Sequence, residues 1–223
     1  MGSFAIHWST LSLDFYGVKL RGTEPPAQPP LFAADHLNVG LQIVSILRRK
    51  INLSRVVLDR PALYLRVDAQ GRSNLPASAN AGKTSSSGET AAKLFDMAVQ
   101  SVIVSSGVIG YNDRQAQLSA DLQGFHLRVG FDIISQGYRA AVGYDRGLLA
   151  FQNFQPIGHH TEIQLTATRS GIVVDQLILQ TAQSRLAASG NLVNYLTPIL
   201  QASYQASLQT SEVAAIILRS GNC

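Results

Sequence analysis

The sequence predicts a mainly β protein: an antiparallel meander curled into an elongated groove or half-open barrel, with a few short helices near the N-terminal third and at the C-terminus. Apolar and polar residues alternate with a period of two, which is typical of half-buried strands. Turn signals separate the alternating segments. The composition, 46% hydrophobic and 14% charged residues, excludes a disordered chain and a coiled coil.

The alternating segments each predict a strand with one apolar side and one solvent-facing side. Turn signals lie at Gln70-Gly71, Ser106-Gly107, Asp113-Arg114, Gln136-Gly137, Arg146-Gly147, Ser170-Gly171 and Ser189-Gly190. We count about a dozen strands, which is more than one open twisted sheet usually carries before it curls. The apolar side must then be closed by a second sheet, a helix or a ligand. The pattern therefore also fits a β-sandwich that closes on itself, as an alternative to a groove.

Helical patterns occur in a few places only. Leu41–Lys50 has apolar residues at helical spacing and ends in three cations, and Glu89–Met97 could form a short helix. Asn194–Leu200 predicts a short helix or an irregular crossover. Ser211–Arg219 predicts a terminal helix, with Ser211 as the N-cap and Glu212 in the first turn.

The chain divides at a stretch of small polar residues. Residues 1–75 predict an N-terminal β region with a short helix, and residues 76–88 a flexible linker or disordered loop. Residues 89–223 predict a continuing antiparallel β-groove with the terminal helix.

Charge and cysteine content narrow the function classes. The formal net charge is +4, and Arg48-Arg49-Lys50 is the only basic cluster, which is too thin for a nucleic-acid footprint. The sole cysteine, Cys223, excludes an intrachain disulfide and a cysteine metal cluster. No apolar run reaches the roughly 18 residues of a membrane-spanning helix.

No motif predicts catalysis, a metal or a cofactor. Gly82-Lys83-Thr84 imitates the end of a phosphate-binding loop, but the glycine required earlier in that motif is Ala77. In His159-His160-x-Glu162 the adjacent histidines of a strand would point to opposite faces and could not ligate one metal ion. The aspartates form no pair that predicts an acid–base dyad.

The candidate binding site consists of the apolar residues that occupy every second position of the long strands. If these side chains share one face, they form an apolar lining; ordinary core packing is the competing interpretation. The candidates are Leu118, Leu122, Phe125, Leu127, Val129, Phe131, Val142, Tyr144, Ile163, Leu165, Leu177 and Leu179.

One segment resembles a known family. From Leu58 to Asn74 the chain reads Leu-Asp-Arg-Pro-x-Leu-x-Leu-x-x-Asp-x-x-Gly-x-x-Asn, with Pro61 predicted at a strand start, edge or bulge and Gly71 in a turn. This segment resembles the signature near the N-terminus of AsmA-like and TamB-related proteins of the diderm bacterial envelope. Val102–Asp113 and Leu177–Leu192 resemble recurrent β units of the same family.

The resemblance implies a function that needs no catalytic residue. AsmA-like proteins are anchored in the inner membrane by one N-terminal helix, and their periplasmic part is a long β-sheet folded into an apolar groove. The family is thought to move phospholipids between the inner and outer membranes, and one branch is linked to outer-membrane protein assembly. This chain would be the membrane-proximal periplasmic segment, with the anchor missing from it.

Three hypotheses follow for the function. The first is a non-enzymatic lipid-transfer segment that holds phospholipid acyl chains in an apolar β-groove, in the periplasm and tethered to the inner membrane. The second is an assembly or scaffold module for outer-membrane proteins that pairs its sheet edge with another strand, and it predicts an exposed edge and a filled interior. The third is an enzyme with a lipid-like substrate, which predicts polar groups clustered in the groove.

Overall fold

A computed structural model describes residues 2–41, 53–76 and 99–218. The prediction of a mainly β protein with a C-terminal helix is confirmed. The predicted helix Glu89–Met97, nearly all of Leu41–Lys50 and most of the linker at 76–88 lie outside the described residues. The elements are β1 (Ser3–His7), β2 (Ser12–Leu20), β3 (Phe32–Leu41), β4 (Leu53–Asp59), β5 (Ala62–Val67), β6 (Ser101–Asp113), β7 (Leu118–Asp132), β8 (Gly137–Phe151), β9 (Ile157–Thr168), β10 (Gly171–Gln180), β11 (Arg185–Val193), β12 (Ile199–Ser207) and α1 (Thr210–Leu218).

All twelve strands belong to one sheet that does not close into a barrel. The order is β1-β2-β3-β4-β6-β7-β8-β9-β10-β11-β12, and β5 continues the path of β4 between β3 and β6. The strands on both sides of the predicted linker therefore pair in the same sheet.

The sheet departs from an antiparallel meander at one place. Both β4 and β5 run parallel to β6, whereas the other neighbouring pairs are antiparallel. A parallel pair needs a crossover of about a dozen residues or more, and the long connection from residue 68 to residue 100 supplies that length.

Pro61 divides β4 from β5, as predicted. Arg60 has a φ of 45°, and Pro61, which has no N–H to donate, follows it directly. The Pro61 carbonyl still accepts a hydrogen bond from the Val108 amide at 2.8 Å. The break therefore costs few ladder hydrogen bonds.

Three of the predicted turns are wrong. Ser106-Gly107, Arg146-Gly147 and Ser189-Gly190 lie inside β6, β8 and β11. The first two are β-bulges at register shifts, with Ser106 at a φ of 55°. At the third, a Cβ on Gly190 would lie 2.5 Å from the Gln201 carbonyl oxygen, so glycine here permits a close approach of strands.

The link from β11 to β12 takes the irregular form rather than the helical one. Asn194 has a φ of 65°, and its side-chain oxygen accepts hydrogen bonds from the amides of Leu196 and Thr197. α1 starts at Thr210, and the Glu212 carboxylate accepts hydrogen bonds from the Ser184 and Thr181 hydroxyls, which lower the pKa of Glu212.

The described residues form a single layer. Extensive contacts join neighbouring strands, and no second sheet covers either face within this part of the chain. Among its hydrophobic side chains, only Leu31, Ala34 and Val104 are buried. The self-closed sandwich is therefore not what residues 2–41, 53–76 and 99–218 form. None of the helices described is long and apolar enough to span a membrane.

Candidate functional site

The strand register places one apolar residue from each of eleven strands in a single row. Residues opposite each other in a sheet project from the same face. The row therefore identifies one face of the sheet across all eleven strands, even where bulges interrupt the alternation along a strand. At about 4.8 Å per strand, the row is about 48 Å long. This central apolar row consists of Phe4, Phe15, Leu37, Leu58, Val104, Leu127, Val142, Ile163, Leu177, Ala188 and Tyr204.

A second apolar row lies two residues away along each strand except β10, where a bulge makes the spacing three residues. It consists of Ile6, Leu13, Val39, Val56, Val102, Val129, Ala140, Leu165, Val174, Gly190 and Ala202. We call the surface that carries both rows the apolar face.

The twelve candidate residues lie together on the apolar face. Leu127, Val142, Ile163 and Leu177 belong to the central row, and Val129 and Leu165 belong to the second row. Phe125, Phe131, Tyr144 and Leu179 reach the same face through the regular alternation of their strands. Leu118 and Leu122 lie beyond Gly124, which has a φ of 71° and interrupts the alternation of β7. Leu122 there pairs with Gly147, and Gly147 pairs with His159, which is on the same side of β9 as Ile163.

These side chains are accessible rather than enclosed. Eleven candidates are half-buried, and Phe131 is 41% exposed. In the central row only Val104 is buried, and the end members Phe4 and Tyr204 are 70% and 78% exposed. A sheet with one apolar and one polar side ordinarily covers its apolar side. The apolar face is thus a surface suited to an apolar ligand.

The opposite side of the sheet, the polar face, has the complementary pattern. A third registered row there consists of His7, Ser12, Gly40, Arg55, Ser101, Gly130, Arg139, Thr166, Val173, Asn191 and Gln201. Ten of these eleven positions hold polar residues or glycine, so the sheet is amphipathic across its full width.

The sequence-based candidates omitted the N-terminal half of the apolar face. Phe4 and Ile6 of β1, and Leu13 and Phe15 of β2, continue the two rows to the edge of the sheet. Their period-two spacing was visible in the sequence, as it was in the longer strands.

A small polar cluster interrupts the apolar face at Tyr144, Thr161 and His159. The Tyr144 hydroxyl lies 2.8 Å from the Thr161 hydroxyl, and its ring packs edge-on against His159. The His159 Nδ1 atom is buried and has no hydrogen-bond partner among the described residues. Tyr144 thus presents its ring to the apolar face while its hydroxyl is satisfied within the sheet.

The sequence also gave no sign of a cluster around Asp14 on the polar face. Asp14 is 6% exposed; Asn38 Nδ2 donates to its Oδ1 at 2.8 Å, and His36 Nε2 lies 2.6 Å from the same oxygen. His7 Nε2 lies 3.0 Å from Oδ2. The Asn38 hydrogen bond and the His36 contact hold the pKa of Asp14 below its ordinary value, against the effect of burial. The cluster joins β1, β2 and β3 and lies outside the apolar face.

The segment from Leu58 to Asn74 has a structural explanation. β3 covers only the start of β5, and Asn74 takes its place beyond that point: the Arg66 amide donates to Asn74 Oδ1, and Asn74 Nδ2 donates to the Tyr64 carbonyl, both at 2.8 Å. Asp68 Oδ1 accepts hydrogen bonds from the Gln70 and Arg72 amides, in a turn that Gly71 completes with a φ of 79°.

A sequence model of the AsmA family matches residues 8–135, more than half of the chain. The chain belongs to the AsmA family. No curated protein matches it. The family match spans β2 to β7 and includes the segment from Leu58 to Asn74. A relation to TamB is not part of that match and stays a prediction.

Membership of the AsmA family associates this chain, and so its apolar face, with the bacterial envelope. The family is associated with the bacterial envelope, and membership fits envelope-associated lipid transport or assembly in general. The match ends within the β7–β8 turn, so the candidates from Leu118 to Phe131 lie inside it and those from Val142 to Leu179 lie beyond it.

Proposed function

We propose that this AsmA-family chain is a non-enzymatic lipid-transfer segment that holds phospholipid acyl chains against its apolar face. The observation that carries the proposal is the pair of registered apolar rows, which run from β1 to β12 and are mostly half-buried. Phospholipid is the partner that such a surface fits, because an acyl chain is a long apolar strip without hydrogen-bonding groups.

The energetics favour a surface of this kind for transport. Removing each methylene from water is worth about 0.8 kcal/mol, so an acyl chain gains much from contact with the rows. A bilayer offers nearly the same apolar environment, so the exchange between bilayer and sheet is close to balanced. Small and medium side chains without ion pairs can hold different chains, and no catalytic group is needed.

The proposal includes a cellular setting. We place the chain in the periplasm, tethered to the inner membrane in the full-length protein and carrying lipid between the inner and outer membranes. This setting rests on the family's association with the envelope.

One observation favours the assembly module as a second candidate. All nine residues of β12, at the edge of the sheet, are exposed, and the strand carries no charge that would protect the edge from pairing. The exposed edge agrees with that hypothesis. The filled interior that it also predicts is not found among the described residues.

Native mass spectrometry of the purified chain, with lipid extraction of the same sample, tests the proposal. We expect masses above the 24.0 kDa of the chain by one or more phospholipids, and phospholipid in the extract. A bare chain mass, together with no uptake of a fluorescent phospholipid, would contradict the proposal and leave the assembly module as the better account.

A further inference from the structure

The strand directions bring four turns to the same end of the sheet. β1, β7, β9 and β11 all run towards this end, because the single parallel junction at β6 sets the directions of the strands that follow it. The β7–β8, β9–β10 and β11–β12 turns therefore follow one another along one end, and the β1–β2 turn lies at the same end beyond β3, β4 and β6. We call this end the hydrophobic-turn end.

Three of these turns carry large apolar residues that project into solvent. Ile133 and Ile134 in the β7–β8 turn are 82% and 96% exposed. Trp8 in the β1–β2 turn is 78% exposed, and Leu196 in the β11–β12 turn is 70% exposed. Turns are normally polar, so large exposed apolar residues at the tips of three turns at the same end of the sheet mark an interaction surface.

The β7–β8 turn is held in a shape that presents its isoleucines. Asp132 Oδ1 accepts a hydrogen bond from the Ile134 amide at 2.9 Å and a longer one from the Ser135 amide. Arg139 lies 2.6 Å from the other oxygen of the same carboxylate and balances its charge. The Asp132 side chain is only 16% exposed, so the tip of the turn is apolar and its one acid is neutralised behind it.

The β11–β12 turn is likewise fixed. The Tyr195 hydroxyl donates to the carbonyls of Thr168 and Gly171 at 2.8 and 2.9 Å, and so ties this turn to the β9–β10 turn. Leu196, the next residue, projects from this pinned pair of turns. Arg169 lies in the β9–β10 turn and adds a cation at this end of the sheet.

The turns at the opposite end differ in composition. The hairpin turns after β6, β8 and β10 read Arg-Gln-Ala-Gln, Gln-Asn-Phe-Gln-Pro and Thr-Ala-Gln-Ser. The one large apolar residue among them, Phe154, stacks on Phe151 with a centroid distance of 6.0 Å. The hairpin turns of the two ends are therefore unlike: within the described residues, exposed large apolar side chains lie in hairpin turns at one end only, and Leu208, 67% exposed at the other end, follows β12 outside any hairpin turn.

We propose that the hydrophobic-turn end docks onto a lipid bilayer, with Trp8, Ile133, Ile134 and Leu196 inserted at the membrane interface. Tryptophan prefers the headgroup level of a bilayer, and isoleucine and leucine gain by entering its apolar edge. Arg169 in the β9–β10 turn favours an anionic lipid surface. Eight of the eleven strands that carry the apolar rows start or end at these turns, so docking brings the apolar face to the bilayer from which a lipid would enter.

Trp8 provides a direct test, because it is the only tryptophan in the chain. The probe is a vesicle of phosphatidylcholine with about 30% phosphatidylglycerol, added to the whole chain. We expect the Trp8 emission to shift to shorter wavelength and to be quenched by brominated acyl chains in the vesicle. Emission that does not change on adding vesicles would overturn the proposal.

Two variants locate the docking surface. Ile133→Ser with Ile134→Ser is expected to reduce the vesicle-bound fraction in co-sedimentation at least tenfold. Leu208→Ser is the matched control, because Leu208 is 67% exposed at the other end of the sheet. An equal loss in both variants, or no loss in the isoleucine variant, would overturn the proposal. Circular dichroism verifies that each variant is folded.

The docking test is separate from the test of the proposed function. A chain that binds vesicles but releases no phospholipid on extraction would support docking and contradict acyl-chain binding by the apolar face. A chain that retains phospholipid but whose Trp8 emission does not change on adding vesicles would support acyl-chain binding and contradict docking.

Discussion

Replacing Leu127 and Leu165 with aspartate is expected to lower the phospholipid recovered per mole of chain at least tenfold. Leu127 lies in the central apolar row and Leu165 in the second row, two strands apart. A carboxylate at either position would have to lose its hydration when an acyl chain covers it, and no cation faces it from the neighbouring positions of the rows. Phosphate analysis of an extract from the purified variant measures the loss.

The matched control places the same two charges on the polar face. Ala141 and Ser189 are exposed there, so Ala141→Asp with Ser189→Asp adds equal charge without touching either apolar row. We expect this variant to retain phospholipid at the level of the unmodified chain. Equal loss from both folded variants would show that charge, rather than the apolar face, determines lipid retention.

Replacing Asn74 with alanine is expected to destabilise the fold by about 3 kcal/mol. Asn74 is 6% exposed, and its side chain satisfies the Arg66 amide and the Tyr64 carbonyl at the place where β3 no longer pairs with β5. Each buried backbone group left without a partner costs about 1–3 kcal/mol. Urea unfolding followed by circular dichroism measures the change in the free energy of unfolding.

Asn112→Ala is the control for that measurement. Asn112 belongs to β6 and is exposed, so we expect a change of about 0.5 kcal/mol or less. If the two variants unfolded at the same urea concentration, the segment from Leu58 to Asn74 would not have the structural role assigned to it here.

The repeating part of the fold could be predicted from the sequence, because the signal is local. Residues such as Leu127, Val129 and Phe131 alternate with polar neighbours, and a strand needs only its own residues to show which ones share a face. The twelve candidates on the apolar face were found in this way. Phe4 and Ile6 show the same alternation, but their five-residue strand offers only these two positions on the apolar face, so its signal is shorter.

Bulges and long-range contacts could not be predicted in the same way. A glycine after a polar residue fits both a hairpin turn and a bulge, and Arg146-Gly147 is a bulge only because β8 continues past it along β7 and β9. The contact of Asp14 with His36 joins residues from different strands, and its formation depends on the register between β2 and β3. The parallel pairing of β6 with β4 and β5 depends on the long connection that precedes β6, and no local sequence motif predicts that pairing.

Site-specific photo-crosslinking tests the central claim most directly. Ile163 and Gln164 are neighbours in β9, the first on the apolar face and the second on the polar face. With p-benzoylphenylalanine in place of Ile163, we expect irradiation to attach a radiolabelled phospholipid to the chain, and in place of Gln164 we expect little attachment. Attachment of equal extent at the two positions, or at Gln164 alone, would contradict the assignment of the apolar face as the lipid-binding surface.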